Sequence, residues 1–226
     1  MATPARFSPS EARRPAWLLS LFAAAPAAAG TLHVEVVDDR GAPVEHVAVY
    51  AVPSEPAPAP GADAAKVTMD QLHNAFVPHV LVVQTGTSVL FPNNDVVSHH
   101  VYSFSDPKTF ELSLYKGNAH PPLAFDRAGL VVLGCNIHDG MLGYILVVDT
   151  PHFAQSDARG VLGLDNLAAD DYTVHVWTDR VRPGDLPAEK HISVPASGEA
   201  TLQFKLAGKL LPDHDQVSSS LSWQRY

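Results

Sequence analysis

Apolar and polar positions alternate with period two along most of this chain, and helical periodicity is nowhere sustained. Residues 31–37 alternate Leu32, Val34 and Val36 with His33 and Glu35, and the cluster Asp38-Asp39-Arg40-Gly41-Ala42-Pro43 then breaks the run. Residues 44–52 resume it with Val47, Val49 and Tyr50, so the two runs predict a β-hairpin. Apolar strands are expected over 80–91, with a turn at Gly86, and again from His99. Further alternating runs fall at 153–164, 171–177, 191–194 and 200–206, each break carrying Gly, Asp, Pro or Ser. The expected fold class is all-β. Phe104, Phe110, Tyr115, Phe125 and Met69 are expected in a sandwich core.

The ends and one internal segment depart from this pattern. Arg6, Arg13 and Arg14 precede an apolar run at 16–25, and Ala27-Ala28-Ala29 follows, so residues 1–29 are expected to be a secretory signal cleaved near Gly30. The run is short of the roughly 20 residues a bilayer span needs, and no membrane span is expected after cleavage. That places the protein in the periplasm or outside the cell. Residues 53–61 are a Pro/Ala-rich, semi-rigid linker. Residues 209–226 turn polar and form an expected C-terminal tail.

Charge excludes one class of partner. The formal net charge is −9; losing Arg6, Arg13, Arg14 and Glu11 with the signal takes 15 basic and 24 acidic residues to 12 and 23, a net −11. Such a surface is not expected to bind nucleic acid.

The chemistry-bearing run is Gly134-Cys135-Asn136-Ile137-His138-Asp139-Gly140-Met141. It holds the single cysteine, with His138 at +3 and Met141 at +6. With 12 His and 3 Met in 226 residues, that spacing arises by chance roughly once in a thousand, which favours a ligand set over a buried structural cysteine. A mononuclear blue-copper site takes Cys and two His in a plane with a weak axial Met. Structural zinc has no use for a methionine, and a dithiolate-bridged copper pair needs a second thiol. The missing histidine is expected from the run 91–102, where His99 and His100 lead into a strand. Neighbours on a strand face opposite ways, so one of the two can serve and not both.

These residues carry a resemblance. Asn74-Ala75-Phe76-Val77-Pro78 with the strand pair at 80–91, then Asn93-Asn94-Asp95-Val96-Val97-Ser98-His99, then Cys135, His138 and Met141, match in order the cupredoxins of the plastocyanin, pseudoazurin and amicyanin kind. The runs His-His-Val-Tyr-Ser-Phe and Cys-Asn-Ile-His-Asp are most similar to cupredoxin-like proteins often labelled methylamine utilization proteins. The resemblance implies a Greek-key β-sandwich at 58–149 holding one copper per chain through His99, Cys135, His138 and Met141. His100 is the alternative ligand, or a donor behind the ligands. Two departures stand out: Ser98 replaces the family's proline, and His100 replaces the asparagine that ties the two ligand loops together. Residues 34–52 and 156–176 resemble the two halves of a carboxypeptidase-regulatory or transthyretin-like sandwich. The cupredoxin then reads as inserted into a host sandwich split over 30–57 and 150–208, with the short return at 147–151 holding the two at a fixed angle.

The implied function is one-electron transfer with a protein redox partner, a cytochrome or a dehydrogenase, that docks on an apolar patch including Gly140, Leu142 and Pro121-Pro122. No enzyme activity is expected, because there is no His-x-His pair for a second copper and no Gly-x-Ser-x-Gly elbow. Copper delivery, or a metal-free interaction module, are the alternatives.

Overall fold

The computed structural model describes residues 29–55, 66–182, 184–187 and 189–212, and every regular element among them is a strand. The signal, most of the linker and the tail beyond residue 212 lie outside the described residues. Among the described residues, no helix is long and apolar enough to cross a membrane.

In chain order the strands are β1 (Gly30–Val37), β2 (Ala48–Pro53), β3 (Val67–Thr68), β4 (Asp70–Leu72), β5 (Ala75–Val77), β6 (Val80–Gln84), β7 (Thr87–Leu90), β8 (His99–Ser105) and β9 (Lys108–Tyr115). There follow β10 (Leu123–Phe125), β11 (Gly129–Cys135), β12 (Leu142–Val148), β13 (Phe153–Gln155), β14 (Val161–Leu167), β15 (Asp170–Trp177), β16 (Lys190–Val194) and β17 (Gly198–Lys205).

The first and last strands meet. β1 runs between β14 and β17, parallel to β17, and a second sheet has the order β13-β2-β15-β16. The inward positions of these two sheets, among them Leu32, Val34, Val36, Val49, Leu164, Tyr172, Val174 and Phe204, form one core. Residues 66–148 build a different pair of layers. A five-stranded sheet β6-β12-β11-β8-β9 faces the three-stranded β10-β7-β3, with Met69, Phe76, Val89, Val101, Phe125, Val131, Leu133 and Ile145 between them. The alternation visible along each strand is therefore the burial pattern, one face dry and one wet.

The two layered bodies touch through a smaller cluster of Ala48, Leu146 and Val148, with Tyr50, Val82, Leu130, Phe153 and Trp177 packed around it. Beside it the rings of Tyr144 and Trp177 lie 5.2 Å apart, and His79 Nε2 is 2.9 Å from Asp179 Oδ2. Thr150, on the return route, donates its buried hydroxyl to Ala51 O over 2.7 Å.

Three sequence expectations need correction. β1 and β2 do not pair as a hairpin: they lie in different sheets, facing each other across the core, and only an isolated Val37–Pro43 bridge joins the turn. The second strand begins at Ala48, not at residue 44: His46 sits at φ 62°, outside the β region, and breaks the extended run. Phe104 is not core; it is 80% exposed on the wet face of β8. Its position falls in the outward half of the strand's alternation, which residue type alone does not show.

Turns in the first body are held by acidic side chains. The Asp157 carboxylate accepts the backbone N–H groups of Val161 and Arg159, and the Asp38 carboxylate those of Ala42 and Arg40. These bonds, led by Val161 for Asp157 and Ala42 for Asp38, hold both carboxyls below the usual aspartate value of 3.8 against the smaller opposing effect of burial. A depressed folded pKa stabilises the fold above the unfolded value and ceases to do so as pH falls through the folded one. The thermal midpoint is therefore expected to fall as pH drops below 3.8, and Asp157→Asn should flatten that part of the profile.

Gly160, in the Asp157 turn, has φ 72°, and a Cβ there would lie 2.5 Å from Val36 O. Its own carbonyl accepts from Val36 N–H at 2.7 Å, so the backbone cannot back away freely. Gly160→Ala is expected to cost about 1–3 kcal/mol in chemical denaturation, where an open left-handed site such as Gly41 has nothing within 4 Å.

Candidate metal centre

Two neighbouring strands and one tight loop assemble the site. β8 and β11 pair with Cys135 opposite Val101 and Gly134 opposite Tyr102. The last residue of β11, Cys135, thus comes beside the first residue of β8, His99. The chain then turns over six residues, 136–141, before β12, which brings His138 back over Cys135. Met141 N–H donates to His138 O at 3.3 Å, and Gly140 takes φ 81°.

His99, Cys135 and His138 come together, each offering one donor atom within 4.8 Å of the others. His99 Nδ1 and His138 Nδ1 are 3.1 Å apart, and each lies 3.8 Å from Cys135 Sγ. In a triangle with one 3.1 Å edge and two 3.8 Å edges, the equidistant in-plane point is about 2.1 Å from each corner, within the ~2.0–2.3 Å range of metal bonds to imidazole nitrogen and thiolate sulfur. The donor set therefore fits one late first-row metal ion. Met141 is 4% exposed and packs in the same core as Cys135, so the centre has an apolar surround.

Asp95 sets the orientation of His99. The imidazole is fully buried, and its Nε2–H donates to Asp95 Oδ2 at 3.0 Å, which leaves Nδ1 with its lone pair facing Cys135 and His138. Asp95 also accepts Asn74 N–H at 2.7 Å and Val96 N–H at 2.6 Å. Burial by itself pushes this carboxyl up, but the bonds from Asn74, His99 and Val96 outweigh it and hold the carboxyl below the usual aspartate range. Asn93 fixes the loop in turn: its amide donates to Val97 O at 3.0 Å and Tyr115 O at 2.9 Å, while its Oδ1 accepts Asp95 N–H at 3.0 Å.

His100 faces away from the cluster. Its ring bonds to Asn136 Nδ2 at 2.9 Å and to Glu111 Oε1 at 2.8 Å. The tie between the two ligand loops, which the resemblance assigns to an asparagine at this position, is made here by a histidine on the first loop and an asparagine on the second. Tyr102 lies on the same face, against Gly134, where a Cβ would approach its ring to 2.7 Å.

Sequence reasoning overlooked three features. Asp95 was visible four residues before His99, but alternation says nothing about which carboxylate reaches a ring. Asn136 lay unremarked between Cys135 and His138. The apolar surface near the ligands consists of Val96, 84% exposed, with Val97 and Ile137, in addition to Leu142; Gly140 and Pro121 are exposed and Pro122 is half-buried.

No family model and no curated protein matches the chain. Among solved structures it is similar to a purple cupredoxin from Nitrosopumilus maritimus, at 21% identity over 37% of this chain and 99% of that one, with a TM-score of 0.32. It is similar to the reduced state of an amicyanin mutant at 22% identity, covering 44% and 99% of the two chains, TM-score 0.33. A copper-containing nitrite reductase from Thermus scotoductus SA-01 aligns at 25% identity over 51% of this chain and 28% of that chain, TM-score 0.37.

Proposed function

We propose that this chain is a periplasmic or secreted type 1 copper protein that carries one electron at a time and is not itself an enzyme. The observation that carries the reading is the triangle of His99 Nδ1, His138 Nδ1 and Cys135 Sγ, whose edges would let two imidazoles and a thiolate hold a single metal ion. The sequence likeness of 58–149 to cupredoxins supports it, and Met141, buried in the same core as Cys135, would be the fourth residue to hold the metal on this reading.

One copper ion held there supplies a Cu(I)/Cu(II) couple. The residues of the chain do the rest. Asp95 and the Asn93 loop lock the His99 ring, the His100–Asn136 bond ties the two ligand-bearing loops, and the five-stranded sheet holds Cys135 and His99 at fixed separation. A donor set that does not rearrange suits both oxidation states and keeps the cost of each transfer low. His138 is the less buried of the two imidazoles, and Val96, Val97, Ile137 and Leu142 offer a redox protein an apolar surface on the same loops. The strands flanking residues 58–149 are, on this proposal, a host sandwich into which the copper module is inserted, behind a cleaved signal at 1–29.

The test is a Cu(II) titration of the mature chain followed by absorption and electron paramagnetic resonance. An intense thiolate-to-copper band near about 600 nm at one equivalent, with reversible reduction and no loss of metal to a chelator during cycling, is the expected result. Loss of copper on each reduction would move the reading to metal delivery, and absence of any thiolate band would reject the blue-copper site.

A further inference from the structure

A cavity of about 580 Å³ lies in the first body, between residues 180–185, which follow β15, and residues 207–212, which follow β17. Neither segment supplies anything to the cysteine centre. The two are laced together in both directions: Leu211 N–H donates to Arg180 O at 2.8 Å, and Arg180 Nε–H donates to Leu211 O at 3.1 Å. Arg180 N–H is bonded in turn to the hydroxyl of buried Thr178 at 3.2 Å. Walls fixed in this way spare a ligand the cost of ordering them.

Part of the lining is apolar. Val181 is 7% exposed and belongs to the core of the first body, and Leu210 packs against that core. Leu211 also lines the cavity and is 50% exposed, so apolar surface remains there to be covered. The charged part of the lining is cationic in an acidic chain. Arg180, Arg182 and Lys209 stand against one carboxylate, Asp185, whereas the whole chain has 15 basic and 24 acidic residues. Arg182 and Lys209 make no side-chain hydrogen bond or ion pair among the described residues, so the fold does not already neutralise them. A concave surface with a surplus of one charge draws in ligands of the other.

We propose that this cavity binds a small organic carboxylate, with Arg182 and Lys209 holding the head group and Val181, Leu210 and Leu211 taking the apolar body. Pockets of about 300–1,000 Å³ accept whole organic molecules. A guanidinium presents paired N–H donors that match a carboxylate, and a lysine ammonium adds a compact charge. Each half of such a ligand thus finds its partner on the lining. The site does not depend on the copper reading, because it shares no residue with the cysteine centre.

The experiment is a calorimetric titration of the full mature chain with octanoate, beside octanol, which has the chain without the charge, and acetate, which has the charge without the chain. Octanoate should bind at one equivalent, at least about tenfold more tightly than either. Arg182→Gln combined with Lys209→Gln, both at exposed positions, should bring octanoate down to the level of octanol. Lys108→Gln, which removes a cation from the other body, should change nothing. No octanoate binding, equal binding of octanoate and octanol, or octanoate affinity within twofold of the parent in the double variant would each overturn the proposal.

Discussion

Cys135→Ser is expected to abolish the intense visible absorption of the copper-loaded protein while leaving the apo fold in place. Cys135 is 8% exposed and its sulfur stands 3.8 Å from the Nδ1 atoms of His99 and His138, so on the proposed reading its thiolate is the soft, electron-rich corner of the donor triangle. Serine nearly preserves the volume, which protects the packing around Val131, Leu133 and Met141. Its hydroxyl does not ionise at neutral pH, and oxygen has no low-energy charge transfer to Cu(II) to replace that of sulfur. Any remaining copper should give the weak spectrum of a nitrogen and oxygen site, bound more loosely. Unfolding of the metal-free variant should differ from that of the parent by about 1–3 kcal/mol, the cost of burying a hydroxyl where a thiol stood, lessened where it bonds His99 or His138. An unaltered band near about 600 nm would mean that the thiolate is not the ligand, and a collapse of the apo fold would mean that Cys135 is first a packing residue.

How much of this was legible beforehand follows from what period and spacing can encode. The alternation in β1, β15 and β17 announces strands because one face of each is dry, and those elements fall within a residue or two of the reading. The segment 44–47 has the composition of a strand, but His46 in the left-handed region breaks it, and nothing in a valine-rich string marks the break. Cys135, His138 and Met141 are readable together because one short loop holds all three, whereas His99 needed the assumption that a strand 36 residues upstream lies alongside. The structure brings His99 beside Cys135 through the β8–β11 ladder and turns His100 to the other face. Asp95 was not legible as the anchor of His99, since that contact depends on a loop whose shape is set by Asn93 and Gly117, paired through their backbones.

Asp95→Ala is expected to weaken copper binding about 10- to 100-fold, the usual range for losing the carboxylate behind a metal-bound imidazole, without removing any ligand. The reason is a count of donors. His99 Nε2–H, Asn74 N–H and Val96 N–H all end on this one carboxylate, at 3.0, 2.7 and 2.6 Å. The His99 ring is wholly buried, so water cannot readily take the place of the acceptor. Each buried donor left without a partner costs about 1–3 kcal/mol, and with the Asn93–Asp95 turn loosened the His99 ring gains freedom to rotate away from the Cys135–His138 edge. Apo stability should therefore fall together with affinity, and Asp95→Asn, which keeps one acceptor oxygen, should lie between alanine and the parent. Glu111→Ala supplies the contrast. That carboxylate holds His100 rather than a ligand and is 68% exposed, so its loss should cost no more than about 1 kcal/mol and leave copper affinity unchanged. Competition titration with a chromogenic copper chelator, paired with denaturant unfolding of the same variants, reads both quantities. Equal copper affinities for Asp95→Ala and Glu111→Ala would show that orientation of His99 is set elsewhere, by the strand ladder alone.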